Sequence, residues 1–514
     1  MKTKLAGLVS LGALLCTSAA LAKTYKVGPS QTYKQLTEID DLLQPGDLVE
    51  IDGDATYAGG AIFSTAGTAA AKITVRGLRV NGKRPVISGA TNTIEAQGDH
   101  YVFEGLELTQ GSFRCFYHHA DDITLRDSVI HDCPKHGLLG ADADSGSLLL
   151  EYVEVYKCGG GTFDHQIYMA TDETAHPKSV FRMQHCYVHD ANGGNNVKSR
   201  AERNEIHFNF IQGAMYHELE LIGPDGQDEN LAREDSDVVG NVLVKTATTF
   251  VARFGGDGTG QTFGRYRFVN NTVVTQPGGS AVFRLFDGID SVEMHNNVFW
   301  TTGSGTPNLV RTTEASWKAG SAIAGSNNYV KAGATNVPKE WSATLEGTDP
   351  GFVDAAGLDF HLAAGSGVID KGTSALSGPA GHDFPPPLGA ALFHPPVHAL
   401  EAVGAATPRP MVGTIDIGAY EFGTGPAAGG TSGTGGSATG GSGASTSGGA
   451  GGAGGASGGA PSTGGASSTG GKSAAKSGSD SNCGCRTGSG SNGGAWAAAG
   501  LAVWAGLRRR RRAS

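Results

Sequence analysis

The sequence of 514 residues is rich in glycine, with 81, and only 17% of its residues are charged. Ten of the 39 basic residues and one of the 49 acidic residues lie outside residues 23–423, so this body holds 29 basic and 48 acidic residues and a net charge of −19. Such a body repels polyanions such as DNA, pectate or alginate unless a local basic patch or bound cations reverse the field. We therefore expect no nucleic acid among its partners.

The N-terminus has the layout of a secretory signal. Two lysines precede an apolar run over residues 5–15, and a small-residue cleavage site ends at Ala22. This order predicts a signal peptide over residues 1–22, a mature chain from Lys23 and passage through the export machinery. Cys16 continues the apolar run, so we do not interpret it as a lipidation site.

The mature chain begins with apolar residues at helical spacing. These residues are Tyr33, Leu36, Ile39, Leu42 and Leu43. They predict one face of a short helix, and a strand follows over residues 48–51. We expect these elements to form an N-terminal cap over the first turn of a repeat array, because solenoids need covered ends.

A short sequence pattern, here called the phrase, then recurs eight times. In each copy, apolar and other residues alternate on both sides of one small or polar residue. The copies cover residues 102–108, 125–130, 150–155, 183–188, 207–211, 239–244, 268–273 and 294–299. Alternation with period two predicts strands, and a strand that recurs every 22 to 33 residues buries its apolar face by stacking on the next turn. The sequence therefore predicts an all-β fold, a right-handed parallel β-helix over one domain, residues 23–423.

An asparagine column runs through the later copies of the phrase. Its members are Asn209, Asn241, Asn271 and Asn297. We align them with Gly105, Asp127, Tyr152 and His185 of the earlier copies, at the bend between the two strands. Asparagine tolerates left-handed backbone geometry and can hydrogen-bond a stacked neighbour, so the column predicts a structural role.

The body contains four cysteines, Cys115, Cys133, Cys158 and Cys186. Cys133 and Cys158 take the same register on successive turns, which predicts either a disulfide between them or a reduced, buried cysteine stack. Four cysteines allow three connectivities, and the sequence does not choose among them. No cysteine pair has zinc-like spacing.

A second column of strands aligns beside the longest insertions. If Ile167, Val197, Leu219 and Val251 face inward, the residues that follow them form an outward file of Tyr168, Lys198, Glu220 and Ala252. We expect His165, Asn196 and Glu218 on the same exposed face. The candidate substrate-binding residues are His136, His217, Glu220 and Arg253.

Residues 192–200, Asn-Gly-Gly-Asn-Asn-Val-Lys-Ser-Arg, resemble the lysine-bearing strand of β-helix polysaccharide lyases of the alginate lyase and chondroitinase B type. The resemblance implies β-elimination on a uronic acid, with Lys198 as the base beside an arginine. Elimination also needs a neutralised carboxylate and an acid for the leaving oxygen. Arg200 or Arg253 could neutralise the carboxylate, and Tyr168 or His165 could be the acid for the leaving oxygen.

One position departs from that pattern. The family offers an arginine on the next turn, where this chain has Glu220. A carboxylate beside Lys198 favours the charged ammonium, which is the wrong direction for a general base. The alternative interpretation is a surface ion pair between Lys198 and Glu220 without catalytic meaning.

Three acidic residues in one loop, Asp225, Asp228 and Glu229, form a candidate calcium site, and Ca²⁺ there would help to neutralise a uronate. The alternative is a solvated acidic loop. Two other functions stay open. One is a glycoside hydrolase that uses Asp121 and Asp122. The other is a non-catalytic, glycan-binding or adhesive surface rod.

The C-terminal part begins with segments that resemble the closing region of secreted bacterial β-helix proteins, at residues 349–354, 359–362 and 416–420. A disordered Gly/Ser/Ala/Thr linker is predicted over residues 424–482. Residues 483–514 hold a Cys-Gly-Cys motif, an apolar helix and five arginines, and they resemble the MYXO-CTERM sorting signal. The resemblance implies sorting machinery and display at the cell surface, at the outer membrane. We expect a monomer that acts on or binds an extracellular or cell-wall polysaccharide.

Overall fold

The computed structural model describes the body of the chain with a few gaps. The described residues are 22–223, 235–256, 262–286, 288–312, 322–384, 387–409 and 412–423. All of them belong to one unit within residues 1–433. The predicted signal peptide, linker and sorting signal lie outside the described residues, apart from Ala22. Across the described part of the chain, no helix combines the length and the apolar character that a bilayer crossing requires.

The described residues form a parallel β-helix, which confirms the predicted fold class. Most turns contribute one strand to each of three long parallel sheets, here named sheets 1, 2 and 3, and each strand pairs with the equivalent strand of the next turn. The first and the last turns have no strand in sheet 3. The predicted phrase is the strand of sheet 1, the bend and the strand of sheet 2. Two long strands, Ile123–His131 and Leu148–Tyr156, run through the bend and join sheets 1 and 2.

The strand bounds of the three sheets are as follows. Sheet 1 contains Thr24–Val27, Leu48–Ile51, Ile73–Gly77, Tyr101–Glu104, Ile123–His131, Leu148–Tyr156, Val180–Gln184, Arg203–His207, Asp235–Val239, Arg265–Val269, Ser291–His295, Ala322–Ser326 and Trp341–Ser342. Sheet 2 contains Thr56–Ala58, Val86–Ser88, Glu107–Thr109, the same two long strands, Tyr187–His189, Phe210–Gln212, Val242–Lys245, Thr272–Thr275, Val298–Thr301, Tyr329–Lys331 and Leu345–Gly347. Sheet 3 contains Ala61–Phe63, Asn92–Ala96, Arg114–His118, His136–Gly140, Ile167–Ala170, Val197–Arg200, Leu219–Ile222, Ala252–Gly255, Phe283–Leu285 and Val310–Thr312.

The core consists of columns of apolar side chains that stack along the solenoid. One column of sheet 1 places seven large side chains in register: Leu125, Leu150, Met183, Ile206, Val238, Phe268 and Met294. All seven are buried. Burial of each such side chain contributes about 1.5–3 kcal/mol, so the columns supply the main force that holds successive turns together.

The bend between sheets 1 and 2 corrects the predicted alignment by one residue. The left-handed backbone position holds Tyr152 and His185 as expected, but in the next turn it holds Phe208 and not Asn209. Asn209 follows the bend, in the register of Cys186, and accepts a hydrogen bond from the Cys186 backbone N–H at 2.9 Å. The prediction of left-handed geometry at Asn209, Asn241, Asn271 and Asn297 is therefore wrong, because the residue before each of them takes it.

The predicted hydrogen bonds between stacked asparagines are present. Each side-chain amide donates to the next asparagine in the ladder Asn209–Asn241–Asn271–Asn297–Asn328, over 2.9 to 3.1 Å. Each acceptor oxygen also takes a backbone N–H of the preceding turn. All five side chains are fully buried, so the ladder satisfies polar groups that would otherwise be costly inside the protein.

The N-terminal cap is present, but its helix is shorter than predicted. The only helical element among the described residues is a 3₁₀ turn at Leu36–Glu38. Leu36, Ile39 and Leu43 are fully buried against the first turns, whereas Leu42 is 43% exposed. Outside this turn the segment is irregular, so its apolar residues do not all lie on one side as they would in an α-helix.

The C-terminal part packs along the side of sheet 2. Strands Phe352–Asp354 and Asp359–Leu362 form an antiparallel pair. Phe360 and Tyr420 join one buried cluster with Phe210 of sheet 2. Inside this segment the Arg409 and Glu421 side chains form a fully buried ion pair at 3.2 Å. The closing residues therefore cover a flank of the solenoid.

The disulfide joins Cys115 to Cys133, with Cα atoms 6.1 Å apart, and not Cys133 to Cys158. Cys133 and Cys158 do stack in register, as their strands show. Side chains at equivalent positions of successive turns point in the same direction, so their Cβ atoms do not converge as a disulfide needs. Cys115 lies in the sheet 3 strand Arg114–His118 of the preceding turn, whereas Cys133 follows the strand Ile123–His131 and precedes the next strand of sheet 3. Cys158 and Cys186 are buried thiols.

Replacement of one ladder asparagine should destabilise the solenoid strongly. Asn271→Ala removes the acceptor for both the backbone and the side-chain N–H groups of Asn241, leaving two buried donors unpaired. We expect a loss of about 3 kcal/mol or more in the free energy of unfolding, measured by urea denaturation. Asn308→Ala is the matched control, because it removes exposed hydrogen bonds that Asn308 donates to Ser280 and accepts from Asn336. Equal losses for the two variants would contradict a stabilising ladder.

Peptide mapping tests the disulfide. Without reduction, a proteolytic digest should contain a peptide that links Cys115 to Cys133. Cys158 and Cys186 should react with iodoacetamide only after unfolding, because burial raises the pKa of both thiols to about 12. A peptide that links Cys133 to Cys158 would contradict the observed pairing.

Candidate functional site

The outward file on sheet 3 contains the candidate catalytic residues. The strand pairings place Tyr168, Lys198, Glu220 and Arg253 in one register on four successive turns. The prediction that Ala252 is the fourth member of the file is wrong, because Ala252 pairs with Leu219 and lies in the core. The inward residues Ile167, Val197 and Leu219 are fully buried as predicted, and they anchor the file from beneath.

Glu220 is the centre of this site. Its side chain is only 5% exposed, and one carboxylate oxygen accepts a hydrogen bond from Arg253 at 2.7 Å. The other oxygen accepts from the Asn195 amide at 2.5 Å and lies 3.9 Å from the Lys198 ammonium. Burial alone would raise the pKa of Glu220, but the neighbouring His217, Lys198 and Arg253 hold it below its ordinary value. The group is therefore a buried carboxylate, which excludes the interpretation as a surface ion pair.

Lys198 lies between two groups that favour its positive charge. Its Nζ atom is 4.8 Å from the centre of the Tyr168 ring, on the face where the π electrons attract cations. The Glu220 carboxylate lies on its other side. The side chain is 13% exposed, so this cation is screened only in part by solvent.

Arg200 supports Tyr168 from within the protein. It is 2% exposed, and its Nε donates a hydrogen bond to the Tyr168 hydroxyl at 3.0 Å. Its Nη1 donates to the Gly223 carbonyl. A guanidinium that donates to a phenolic oxygen stabilises negative charge on that oxygen, so Arg200 acts on Tyr168 rather than on a ligand.

A column of imidazoles flanks the file. In register on successive turns lie His136, His165, Asn195 and His217. The Nδ1 atoms of His136 and His165 accept backbone N–H groups at 3.1 and 3.0 Å, which places the proton of each neutral ring on Nε2. The rings of His136 and His165 lie 5.9 and 5.6 Å from the Tyr168 ring.

His217 has the opposite tautomer. Its Nδ1 lies 3.0 Å from the Asn195 Oδ1, an oxygen that can only accept, so the proton is on Nδ1 and Nε2 is left as an acceptor. Burial is the main cause that lowers the pKa of His136 and His217 to about 4 and that of His165 to about 3. All three rings are therefore neutral near pH 7.

The prediction of one exposed face for His165, Asn196 and Glu218 is wrong, because His165 is only 3% exposed and Asn196 and Glu218 lie inside the protein. Both are fully buried in a second polar ladder, in which Gln166 donates to Asn196 at 2.7 Å and Asn196 donates to Glu218 at 2.5 Å. Lys245 lies 3.5 Å from Glu218 and closes the ladder. These residues lie where the chain turns into sheet 3, so alternation within the strand does not apply to them. The ladder fixes the backbone that carries the histidine column.

Sequence reasoning missed three members of the site. Asn195 connects His217 to Glu220, as described above. Arg284 and Arg311 continue the outward file beyond Arg253. Alignment of the strand at residues 283–285 with the file would have found the first arginine, but that copy has no resemblance to the lysine-bearing strand.

Several predicted residues do not join this site. Asp225, Asp228 and Glu229 lie outside the described residues, and the described residues contain no group of three or more metal-ligating side chains. The pair Asp121 and Asp122 is used structurally. Asp121 accepts the backbone N–H of Ser147 at 2.6 Å, and Asp122 forms an ion pair with Lys72 at 2.7 Å. These contacts do not leave two carboxylates facing a common substrate.

The histidine column should make the fold sensitive to acid. The unfolded chain takes up protons near the ordinary histidine pKa of about 6.5, whereas folded His165 does so only near 3. Stability should therefore fall as the pH falls from about 7 to 5, by on the order of 1–2 kcal/mol from this residue. In the His165→Asn variant, the free energy of unfolding, measured by urea denaturation at both pH values, should fall less than in the parent protein. His398→Asn is the control for the loss of one histidine, and parallel curves for parent and His165→Asn would contradict the assignment.

Comparison with known proteins gives structural neighbours only. No family model and no curated protein sequence matches the chain. The pectate lyase Pel9A is 12% identical, with 78% of this chain and 97% of that chain covered and a TM-score of 0.46. An alginate lyase from Paenibacillus sp. str. FPU-7 is 14% identical, with 62% and 99% covered and a TM-score of 0.36. The GH136 lacto-N-biosidase from Eubacterium ramulus is 12% identical, with 64% and 67% covered and a TM-score of 0.38.

Proposed function

We propose that this protein cleaves an extracellular polysaccharide that contains uronic acid, by β-elimination at the site around Glu220. The observation that supports this proposal most is the position of Tyr168. Its hydroxyl is held by the Arg200 guanidinium, and Lys198 lies in register on the next turn. A proton carrier beside fixed cations is what elimination from a uronate needs.

The reaction moves one proton from C5 of the uronate to the leaving oxygen O4. The base takes the C5 proton of the uronate, the C5–H electrons form a double bond between C4 and C5, and the C4–O4 bond breaks. The leaving oxygen O4 then takes up a proton. Tyr168 can perform both transfers as the phenolate that Arg200 stabilises, since it accepts the C5 proton and then returns it to O4.

Lys198 has a different role in this proposal from the base suggested by the family resemblance. Its contacts with Glu220 and with the Tyr168 ring favour the ammonium, and an ammonium cannot accept a proton. A cation at this place neutralises the substrate carboxylate and so makes the C5 proton more acidic. Arg253 holds Glu220 on the opposite side and keeps that carboxylate from cancelling the charge of Lys198.

His165 and His217 orient the sugar. The neutral His165 ring carries its proton on Nε2 and can donate a hydrogen bond to the leaving oxygen or a neighbouring hydroxyl. His217 offers an acceptor nitrogen for a sugar hydroxyl. A donor and an acceptor in one column suit a ligand that carries many hydroxyl groups.

A second candidate function is a module that binds glycan without cleaving it. The ion pair between Lys198 and Glu220, at 3.9 Å, favours this candidate, because an ammonium that already faces a carboxylate neutralises a substrate carboxylate less completely than elimination needs. The clustered polar side chains are equally suited to hydroxyl recognition. The same enzyme assay separates the two functions, since only the lyase forms an unsaturated product.

We propose further that the protein is exported and displayed as a monomer at the cell surface. Residues 1–22 and 483–514 support export and sorting by their composition. The Cys115–Cys133 disulfide supports an oxidising compartment. Calcium at Asp225, Asp228 and Glu229 stays a prediction, and EDTA should lower the activity if an ion there helps to hold the uronate.

Site variants test the proposed chemistry. The full chain is incubated with a panel of uronate polymers, and the ultraviolet absorbance of the unsaturated product is followed with Ca²⁺ and with EDTA. Tyr168→Phe should lower kcat by about 10²- to 10⁴-fold, because the proton carrier is lost. Lys198→Arg should retain part of the activity since it keeps the charge, whereas Lys198→Ala should lose most of it.

Lys339→Ala, at a side chain that is 91% exposed and distant in sequence from the site, is the control. If Lys198→Arg is inactive while Tyr168→Phe keeps full activity, then Lys198 is the base and the assignment of roles is wrong. If no polymer gives an unsaturated product, the lyase proposal fails. Binding in the absence of product would then establish the glycan-binding module.

A further inference from the structure

We propose that a cleft at the corner where the chain leaves sheet 2 towards sheet 3 is a second binding site, and that it takes a neutral oligosaccharide. The cleft has a volume of about 480 Å³, which is in the range of pockets that hold small ligands. The residues that line it are all distinct from those of the site around Glu220. The inference therefore goes beyond the proposed function and does not depend on the elimination reaction.

A gap in a row of side chains opens the cleft. Lys157, Asp190 and Gly213 directly follow the sheet 2 strands of three successive turns. The first two have exposed side chains, whereas Gly213 has none and takes a φ of 76°, in the left-handed region that favours glycine. On the next turn the register belongs to Lys245, whose side chain is 1% exposed and donates inward to the Ala214 carbonyl at 2.8 Å. The row is therefore interrupted over two turns.

Apolar groups supply one part of the lining. Val244 is a buried residue of sheet 2, and Leu358 lies just before the second strand of the C-terminal antiparallel pair. Both pack in the same apolar cluster, so the C-terminal segment completes the cleft from the side. The C–H groups of a sugar ring can pack against these side chains and leave water there.

Polar groups with unused hydrogen-bonding capacity supply another part. Gln212 donates to the Tyr187 hydroxyl at 3.1 Å, and Gln276 accepts from the Thr302 hydroxyl at 3.0 Å. Within the described residues, nothing else bonds the Gln212 Oε1, the Gln276 Nε2 or the Thr246 hydroxyl. The cleft thus offers an acceptor, a donor and a hydroxyl that can do both, which suits a ligand rich in hydroxyl groups.

The charges of the cleft cancel. Lys157 is the cation and Asp190 the anion among the lining residues, and Asp190 also lies 3.0 Å from the His189 Nδ1. A lining without net charge does not attract an anion, and the body around it carries a net charge of −19. The cleft therefore favours a neutral sugar over the uronate that the Glu220 site would take.

The cleft is long enough for more than one sugar ring. Asp190, Gly213, Thr246 and Gln276 come from four successive turns of sheet 2. Three strand spacings amount to about 14 Å along the solenoid. A short oligosaccharide, or a neutral stretch of a polysaccharide, fills this length.

Binding of neutral tetrasaccharides tests the second site. The Kd values of the full chain for xylotetraose, cellotetraose and mannotetraose are measured by calorimetry, and at least one of them should bind. Thr246→Trp places an indole in the cleft and should weaken that binding about tenfold or more. Gln276→Ala removes one hydrogen-bond donor and should weaken it about two- to tenfold.

Thr174→Trp is the matched control, because it changes an exposed threonine beyond the sheet 3 strand Ile167–Ala170. Thermal unfolding establishes that each variant is folded. Binding of no tetrasaccharide, full binding by Thr246→Trp, or equal weakening by Thr174→Trp would each overturn the second site. Thr246→Trp should leave any cleavage of uronate polymers unchanged. A protein that binds a neutral tetrasaccharide and cleaves no polymer would keep this site and lose only the lyase.

Discussion

The constraint on which this structure depends is the in-register stacking of parallel strands. A residue at one position of a turn is held about 4.8 Å from the residue at the same position of the next turn, whatever the length of the loops between them. Favourable neighbours therefore repeat as ladders, such as the one from Asn209 to Asn328. Unfavourable neighbours, such as charged groups that are buried together, are stacked in the same way. Side chains of adjacent columns must then stabilise them.

The candidate site is a case of such compensation. Stacking places Tyr168, Lys198, Glu220 and Arg253 in one line, where the only anion is the most deeply buried member. The cost of burying that carboxylate is offset by charge-assisted hydrogen bonds from Arg253 and Asn195. The same stacking places the Lys198 ammonium 3.9 Å from this carboxylate and leaves the Tyr168 hydroxyl to accept a hydrogen bond from Arg200.

The sequence predicted the fold well because the repeated phrase reports the alternation of buried and exposed positions in sheets 1 and 2. It also predicted most of the file on sheet 3. Two of the errors are shifts of a single residue. Asn209 was aligned with His185 although it stacks on Cys186, and Val251 was given the register of Leu219, which Ala252 occupies. Alternation sets the two faces of a strand, but it does not set where a strand begins after a loop of variable length.

Burial in the corners between sheets was equally hard to predict. Asn196 and Glu218 are polar residues beside a predicted exposed file, yet they are fully buried, because the chain turns inward there and neighbouring turns satisfy them. The disulfide was missed for a related reason. Sequence register shows which residues stack, whereas Cys115 and Cys133 occupy different positions of their turns, one in a strand and one in the connection before a strand.

The asparagine ladder has a further consequence for how the molecule comes apart. It starts at Cys186 and continues to Asn328, whereas the same position of the two preceding turns holds Val153 and Ser128. The preceding turns are linked instead by the covalent bond of Cys115 to Cys133. A solenoid responds to stress by the separation of neighbouring turns, so it breaks first where the ties between turns are fewest. Between the two kinds of tie lie the turns that carry Tyr168 and Lys198, and the second polar ladder joins them, since Gln166 donates to Asn196 and Asn196 donates to Glu218. Separation of the turns at the candidate site therefore requires that this ladder break.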